Sequence, residues 1–214
     1  APNFLSQYKN LLNHYVHQRS GREGYTFWGA CGAMRRETFA GLGGFDESYT
    51  EPSIEDIELG YRLVAAGDRV HVVPDLQVKH LKRWQAGSLV RTDILGRAVP
   101  WSELILSAGG FHDDLNIERA GRAKVVSVAS LGLGIVGSAH PVGRVLAAAS
   151  ATALLALDAP LLRFYTAARG PAFAAATIPW CWLSYAYSGG AFTFVLTRRA
   201  VRARVRRDWG SGAT

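Results

Sequence analysis

The sequence predicts an α/β layer followed by an α-helical membrane region, and three observations carry that prediction. Short β-branched or aromatic runs alternate with helix-period segments over the first hundred residues. All but two of the 17 acidic residues precede position 121, and only Asp158 interrupts the span from 121 to 197. A water-exposed domain seldom goes so far with one acid and so few charges, so that span reads as lipid-embedded. The net charge of +7 is also uneven: Arg198, Arg199, Arg202, Arg204, Arg206 and Arg207 crowd the end of the chain.

The elements follow in order. Phe4, Tyr8, Leu11, Leu12 and Tyr15 recur at helical spacing and predict a helix over 3–18, broken by Gly21 and Gly24. A strand over 25–28 leads into the small-residue loop from Gly29 to Ala33, and a helix over 36–40 ends at the glycines that follow. Residues 54–66 predict a third helix, stopped by Gly67. Strands are expected over 70–73, ended by Pro74, and over 76–80; helices are expected over 85–95 and 101–108, with Trp101 as an interfacial anchor.

Three apolar stretches come next, at about 123–139, 145–157 and 171–197. A full crossing takes about 20 residues. The first two are short and read as a helical hairpin around the segment from His140 to Arg144; the third is long enough to cross but is interrupted by Pro179 and Gly189-Gly190. Arg163 and Arg169 precede it and the arginine cluster follows it, so both of its ends favour the cytoplasm. Either it re-enters or one of the other two does not cross. The arginine cluster itself reads as a membrane flank held by anionic lipid. No aromatic interleaving or fold signature accompanies it, which argues against nucleic acid. Cys31 and Cys181 sit in unlike settings, so neither a disulfide nor a metal set is expected between them.

The candidate chemistry lies in Ser53-Ile54-Glu55-Asp56-Ile57-Glu58-Leu59-Gly60-Tyr61-Arg62-Leu63, with His80 and Trp84 close behind. Three carboxylates fall in the first turn of a helix. Held there, Asp56 could take a proton from a hydroxyl within reach, with Glu55 assisting. The same letters also spell a capping box from Ser53 to Asp56, in which the acids merely satisfy the helix start. His80 could contact a metal or a diphosphate oxygen. Trp84 offers a flat apolar face for a sugar ring. Arg83 and Lys82 could face phosphate. The loop containing Gly29 and Gly32 has no bulk to keep backbone amides from a ligand, and Arg35 and Arg36 follow it.

Phe27-Trp28-Gly29-Ala30-Cys31-Gly32-Ala33-Met34-Arg35-Arg36-Glu37-Thr38-Phe39, then Gly43-Gly44-Phe45-Asp46-Glu47, then the Glu55-Asp56 helix, then His80-Leu81-Lys82-Arg83-Trp84 stand in the order of a known pattern. Taken together they resemble family-2 glycosyltransferases of GT-A fold over residues 25–105. The fold implied is an incomplete GT-A (Rossmann-like) half domain over 1–110, then membrane-embedded helices over 111–197 and a basic cytoplasmic tail over 198–214.

The resemblance implies an inverting transfer from a nucleotide-sugar donor to a sugar or lipid-linked hydroxyl acceptor. Asp56 is then the base, and Arg83 and Trp84 sit by the acceptor and diphosphate, with Gly32 and Arg36 nearby. It departs from processive synthases at His80, where their motif has Gln. A divalent metal (Mg or Mn) is expected in the complete enzyme, held by an Asp-x-Asp motif that these residues lack; Asp113-Asp114 is adjacent and misplaced. The nucleotide-binding half is therefore expected elsewhere or lost; the absent initiator Met suggests that the chain begins in mid-protein, and these 214 residues alone are expected to be inactive. The setting implied is a cell inner membrane, crossed several times, with the catalytic part cytoplasmic. The rival reading is a non-catalytic membrane binding or scaffold module, or a remnant of a glycosyltransferase.

Overall fold

The computed structural model describes residues 2–108 and 119–210, and side chains as far as Arg206. The order is α1 (Phe4–Arg19), β1 (Glu23–Gly24), α2 (Arg36–Gly41), α3 (Glu55–Ala65), β2 (Val70–His71), α4 (Ala86–Asp93), a π-helical turn (Ile94–Ala98), α5 (Val99–Ser107), α6 (Arg119–Val136), α7 (Pro141–Arg169) and α8 (Pro171–Gly210). Helix accounts for 71% of the described residues and strand for 2%.

That balance overturns the predicted α/β, Rossmann-like half domain. The only ladder among the described residues is β1 against β2, antiparallel, pairing Glu23 with His71 and Gly24 with Val70. The reason is non-local. Residues 25–28 and 76–80 have strand-like composition, but a strand persists only as part of a ladder, and neither segment takes strand conformation here. Leu76 and Val78 consequently stand exposed at 62% and 59%.

The helices answer to local signals. Leu59, Tyr61 and Leu63 are buried on α3, and Gly67, at φ +89°, ends it in the left-handed conformation that glycine adopts without a Cβ penalty. In α1, Tyr8 is buried, and Phe4 and Tyr15 lie against Phe173 and Phe164 of the long helices. Gly134 and Gly143 let α6 and α7 cross with backbones nearly touching: a Cβ on Gly134 would meet the Ala147 nitrogen at 2.5 Å.

Pro179 and Gly189-Gly190, expected to interrupt the third apolar stretch, lie inside an unbroken α8. Pro160 likewise lies inside α7. Among the described residues one helix, α7, is long and apolar enough to cross a membrane, with a mean hydropathy of 1.8 over its most apolar window. The cores of α1, α7 and α8 meet in one cluster that includes Tyr8, Leu161, Tyr165, Cys181 and Trp84.

Candidate functional site

Gly60 sets the site. A Cβ there would collide with the Tyr25 carbonyl and come within 2.5 Å of the Phe27 nitrogen. Glycine thus lets α3 lie directly on the backbone of Tyr25–Phe27. Asp56 is one turn earlier on the same face, so it meets the chain just beyond Phe27. The Gly29 N–H donates to Asp56 Oδ2 at 3.0 Å, and the Ile57 N–H donates to Oδ1 at 2.8 Å. Burial raises the Asp56 carboxyl above its ordinary range; the Gly29 and Ile57 amides oppose that without cancelling it, and Glu55 adds to the rise.

The expected capping box does not form. The N-cap residue is Ile54, Ser53 Oγ donates to the Gly96 carbonyl at 2.8 Å, and Glu55 reaches back to accept the Ser53 N–H at 2.7 Å. Glu55, rather than Asp56, ties down the helix entry.

Asp56 and Glu55 share an open cleft of about 590 Å³ with Gly29, Phe45, Tyr49, Glu47 and Glu51. An ion pair shapes its rim. Arg62 binds Glu58 one turn away at 2.7 Å and donates to the Leu42 and Gly44 carbonyls at 2.6 and 2.8 Å, pinning the turn that presents Phe45. Phe45 rests edge-on against Phe39 at 5.4 Å. Burial pushes the Tyr49 hydroxyl up, and Glu58, Asp46 and Glu55 push the same way. The cleft therefore offers hydrogen-bond acceptors, two aromatic faces and a strongly negative field.

Other expected site residues lie elsewhere. Trp84 is 1% exposed, packed in the core with Tyr8 and Leu161, so its face is closed to a sugar. Two cations lie over the ring, Lys82 with Nζ 4.1 Å and Arg97 with Cζ 5.8 Å from its centre. Arg83 and Arg36 are exposed and outside the cleft lining. Gly32 is bare for a packing reason, since a Cβ would sit 2.6 Å from the Phe27 ring.

His80 Nδ1 accepts the Lys82 N–H at 3.3 Å, and burial together with Lys82 and Arg97 lowers its proton affinity. No group of three or more His, Cys, Asp or Glu arranged for a metal exists among the described residues. The Mg or Mn ion is expected in the complete enzyme rather than on these residues, and Asp113-Asp114 falls outside the described residues.

Sequence reasoning passed over Tyr49, Glu51 and Gly60, whose roles depend on pairings distant in the chain. Asp93, in a run Arg91-Thr92-Asp93-Ile94 that continues the resemblance, was given no role. This buried acid takes Lys9 Nζ at 2.7 Å, Arg97 Nη1 at 2.9 Å and the Tyr187 hydroxyl at 2.7 Å, joining α1, α4 and α8. Burial alone would raise its carboxyl, but Lys9, Tyr187 and Arg97 outweigh that and hold it below the usual range. Arg97 belongs to the π-helical turn whose Gly96 carbonyl receives Ser53, so the ion network and the cleft share one element. Comparison with known protein families, with curated proteins and with solved structures finds no match for this chain.

Proposed function

We propose that this chain is the acceptor-side, membrane-attached part of an inverting glycosyltransferase, moving a sugar from a nucleotide-sugar to a hydroxyl acceptor. The observation that carries the reading is Asp56: a half-buried carboxylate, more basic than usual, at an open cleft with Phe45 and Tyr49 on its rim. A base near the acceptor hydroxyl, in reach of an aromatic platform, is what such a transfer needs.

In this reading Asp56 takes the proton as the acceptor oxygen attacks the anomeric carbon. A C–O bond forms on one face while the bond to the nucleoside diphosphate breaks on the other, the electron pair leaving with the diphosphate and the configuration inverting. The cleft lining holds Glu47, Glu51, Glu55 and Asp56 and no cation. That field repels a bare diphosphate, so in this reading the donor's phosphates are met by groups outside the cleft lining. The membrane is a cell inner membrane in this reading, with the cleft on the cytoplasmic side and α6 and α8 accompanying α7 across it. A lipid-linked acceptor suits that placement.

The test is sugar transfer by membranes carrying the intact gene product, against Asp56→Asn. General-base loss lowers the rate by about 10²–10⁴-fold, with donor binding kept; an unchanged rate removes Asp56 from the role. A second reading, a non-catalytic binding or scaffold module, is favoured by the two backbone amides that already occupy Asp56 and by the burial of Trp84. Titration of the intact gene product with nucleotide-sugars separates the two, since a scaffold binds none.

A further inference from the structure

The run from Val72 to Gln85 is irregular apart from one turn at Pro74-Asp75, yet it is held in place. Gln18 and Asn10 of α1 donate to the Pro74 and His80 carbonyls, and Asn3 donates to the Trp84 carbonyl at 2.6 Å. Along this fixed run four large apolar side chains face solvent: Val73, Leu76, Val78 and Leu81, the last 74% exposed. Lys79, Lys82 and Arg83 are interleaved with them, and no acid occurs between Asp75 and Asp93. Exposed apolar side chains set among cations fit neither bulk water nor nucleic acid, which would want stacking aromatics.

Its place in the fold identifies what covers it. Trp84, at the end of the run, packs with Leu161 and Tyr165 of α7. One turn of α1 binds both ends together: Asn3 holds Trp84, and Gln7 accepts from Arg169, the last residue of α7, at 2.8 Å. Arg163 and Arg169 are exposed there, as cations are where a crossing helix meets phosphate headgroups.

We infer that Val73–Arg83 is a membrane-surface contact: its apolar side chains enter the headgroup boundary of the leaflet that α7 crosses, and Lys79 and Lys82 bind anionic lipid phosphate. The segment would thereby fix how the soluble layer, and with it the Asp56 cleft, sits over the bilayer. This rests on α7 being the crossing helix and is independent of any transferase activity.

The test places an environment-sensitive fluorophore at Leu81→Cys in the intact chain on a Cys31→Ser background, Cys181 being buried. The protein is reconstituted in nanodiscs of phosphatidylcholine, with or without phosphatidylglycerol. The expected result is a blue-shifted emission, quenched by doxyl-labelled lipid, that strengthens when phosphatidylglycerol is present. Lys79→Gln and Lys82→Gln each weaken that partition by about fivefold, while the same probe at the exposed Glu37 stays aqueous. A water-like emission in both discs overturns the proposal, as does quenching indifferent to phosphatidylglycerol. Shielding from an aqueous quencher without doxyl quenching also overturns it, assigning the segment to a protein partner.

Discussion

Asp56 and Asp93 are both partly or wholly buried aspartates near the ends of short helices, and they differ in what surrounds them. Asp93 is ringed by Lys9, Arg97 and Tyr187, with two cations within hydrogen-bond distance. Asp56 has two backbone amides, no cation in its cleft, and Glu55 beside it. The first arrangement stabilises a fixed negative charge and fastens α1 and α4 to α8. The second makes the charge costly, which is the condition for a carboxylate that accepts a proton. One residue type therefore serves as fastener or as base according to its neighbours.

That contrast can be broken by substitution. Asp93→Ala leaves Lys9 buried without its counter-ion and should lower unfolding free energy by about 3–5 kcal/mol, read from denaturant unfolding of the detergent-solubilised protein. Gly60→Ala forces a methyl group into the Tyr25–Phe27 backbone and should destabilise by about 1–3 kcal/mol, with transfer falling further because Asp56 moves from Gly29. Asp56→Asn should leave stability within about 1 kcal/mol of the parent; a loss as large as that of Asp93→Ala would make Asp56 another fastener. Arg36→Ala, at an exposed site outside the cleft, should stay within about 0.5 kcal/mol and leave transfer unchanged.

Acid separates the pair as well. The folded-state proton affinity of Asp93 is depressed, so its contribution to stability is present above the unfolded value of about 3.9 and is lost as pH falls below that through the folded value. Asp56 has the opposite sign. Its folded value is raised, so its contribution is full below about pH 3.9 and disappears as pH climbs through the folded value. A stability profile of Asp56→Asn against the parent should diverge on that upward side.

Much of this was visible in the sequence where the cause is local. Apolar spacing and Gly67 define α3 and put Asp56 in its first turn, and His140-Pro141 marks the turn between α6 and α7. What the sequence could not disclose depends on partners far along the chain. Val70–Val73 and Leu76–His80 have the letters of strands, but whether a strand forms depends on what lies beside it. Trp84 looked like a ligand platform because an indole suits both a core and a sugar; only the approach of Tyr8, Leu161 and Tyr165 decides between them. Glu55, not Asp56, ties down the start of α3 for a similar reason, since the Ser53 N–H goes to Glu55 while the Gly29 N–H, distant in the chain, goes to Asp56.

The central claim, that Asp56 removes a proton from an alcohol, is tested most directly by the pH dependence of kcat/KM for the intact gene product. The account predicts an acidic limb governed by one group above the ordinary carboxylate range, rising with pH and absent from the residual rate of Asp56→Asn. The same limb persisting in Asp56→Asn would contradict it.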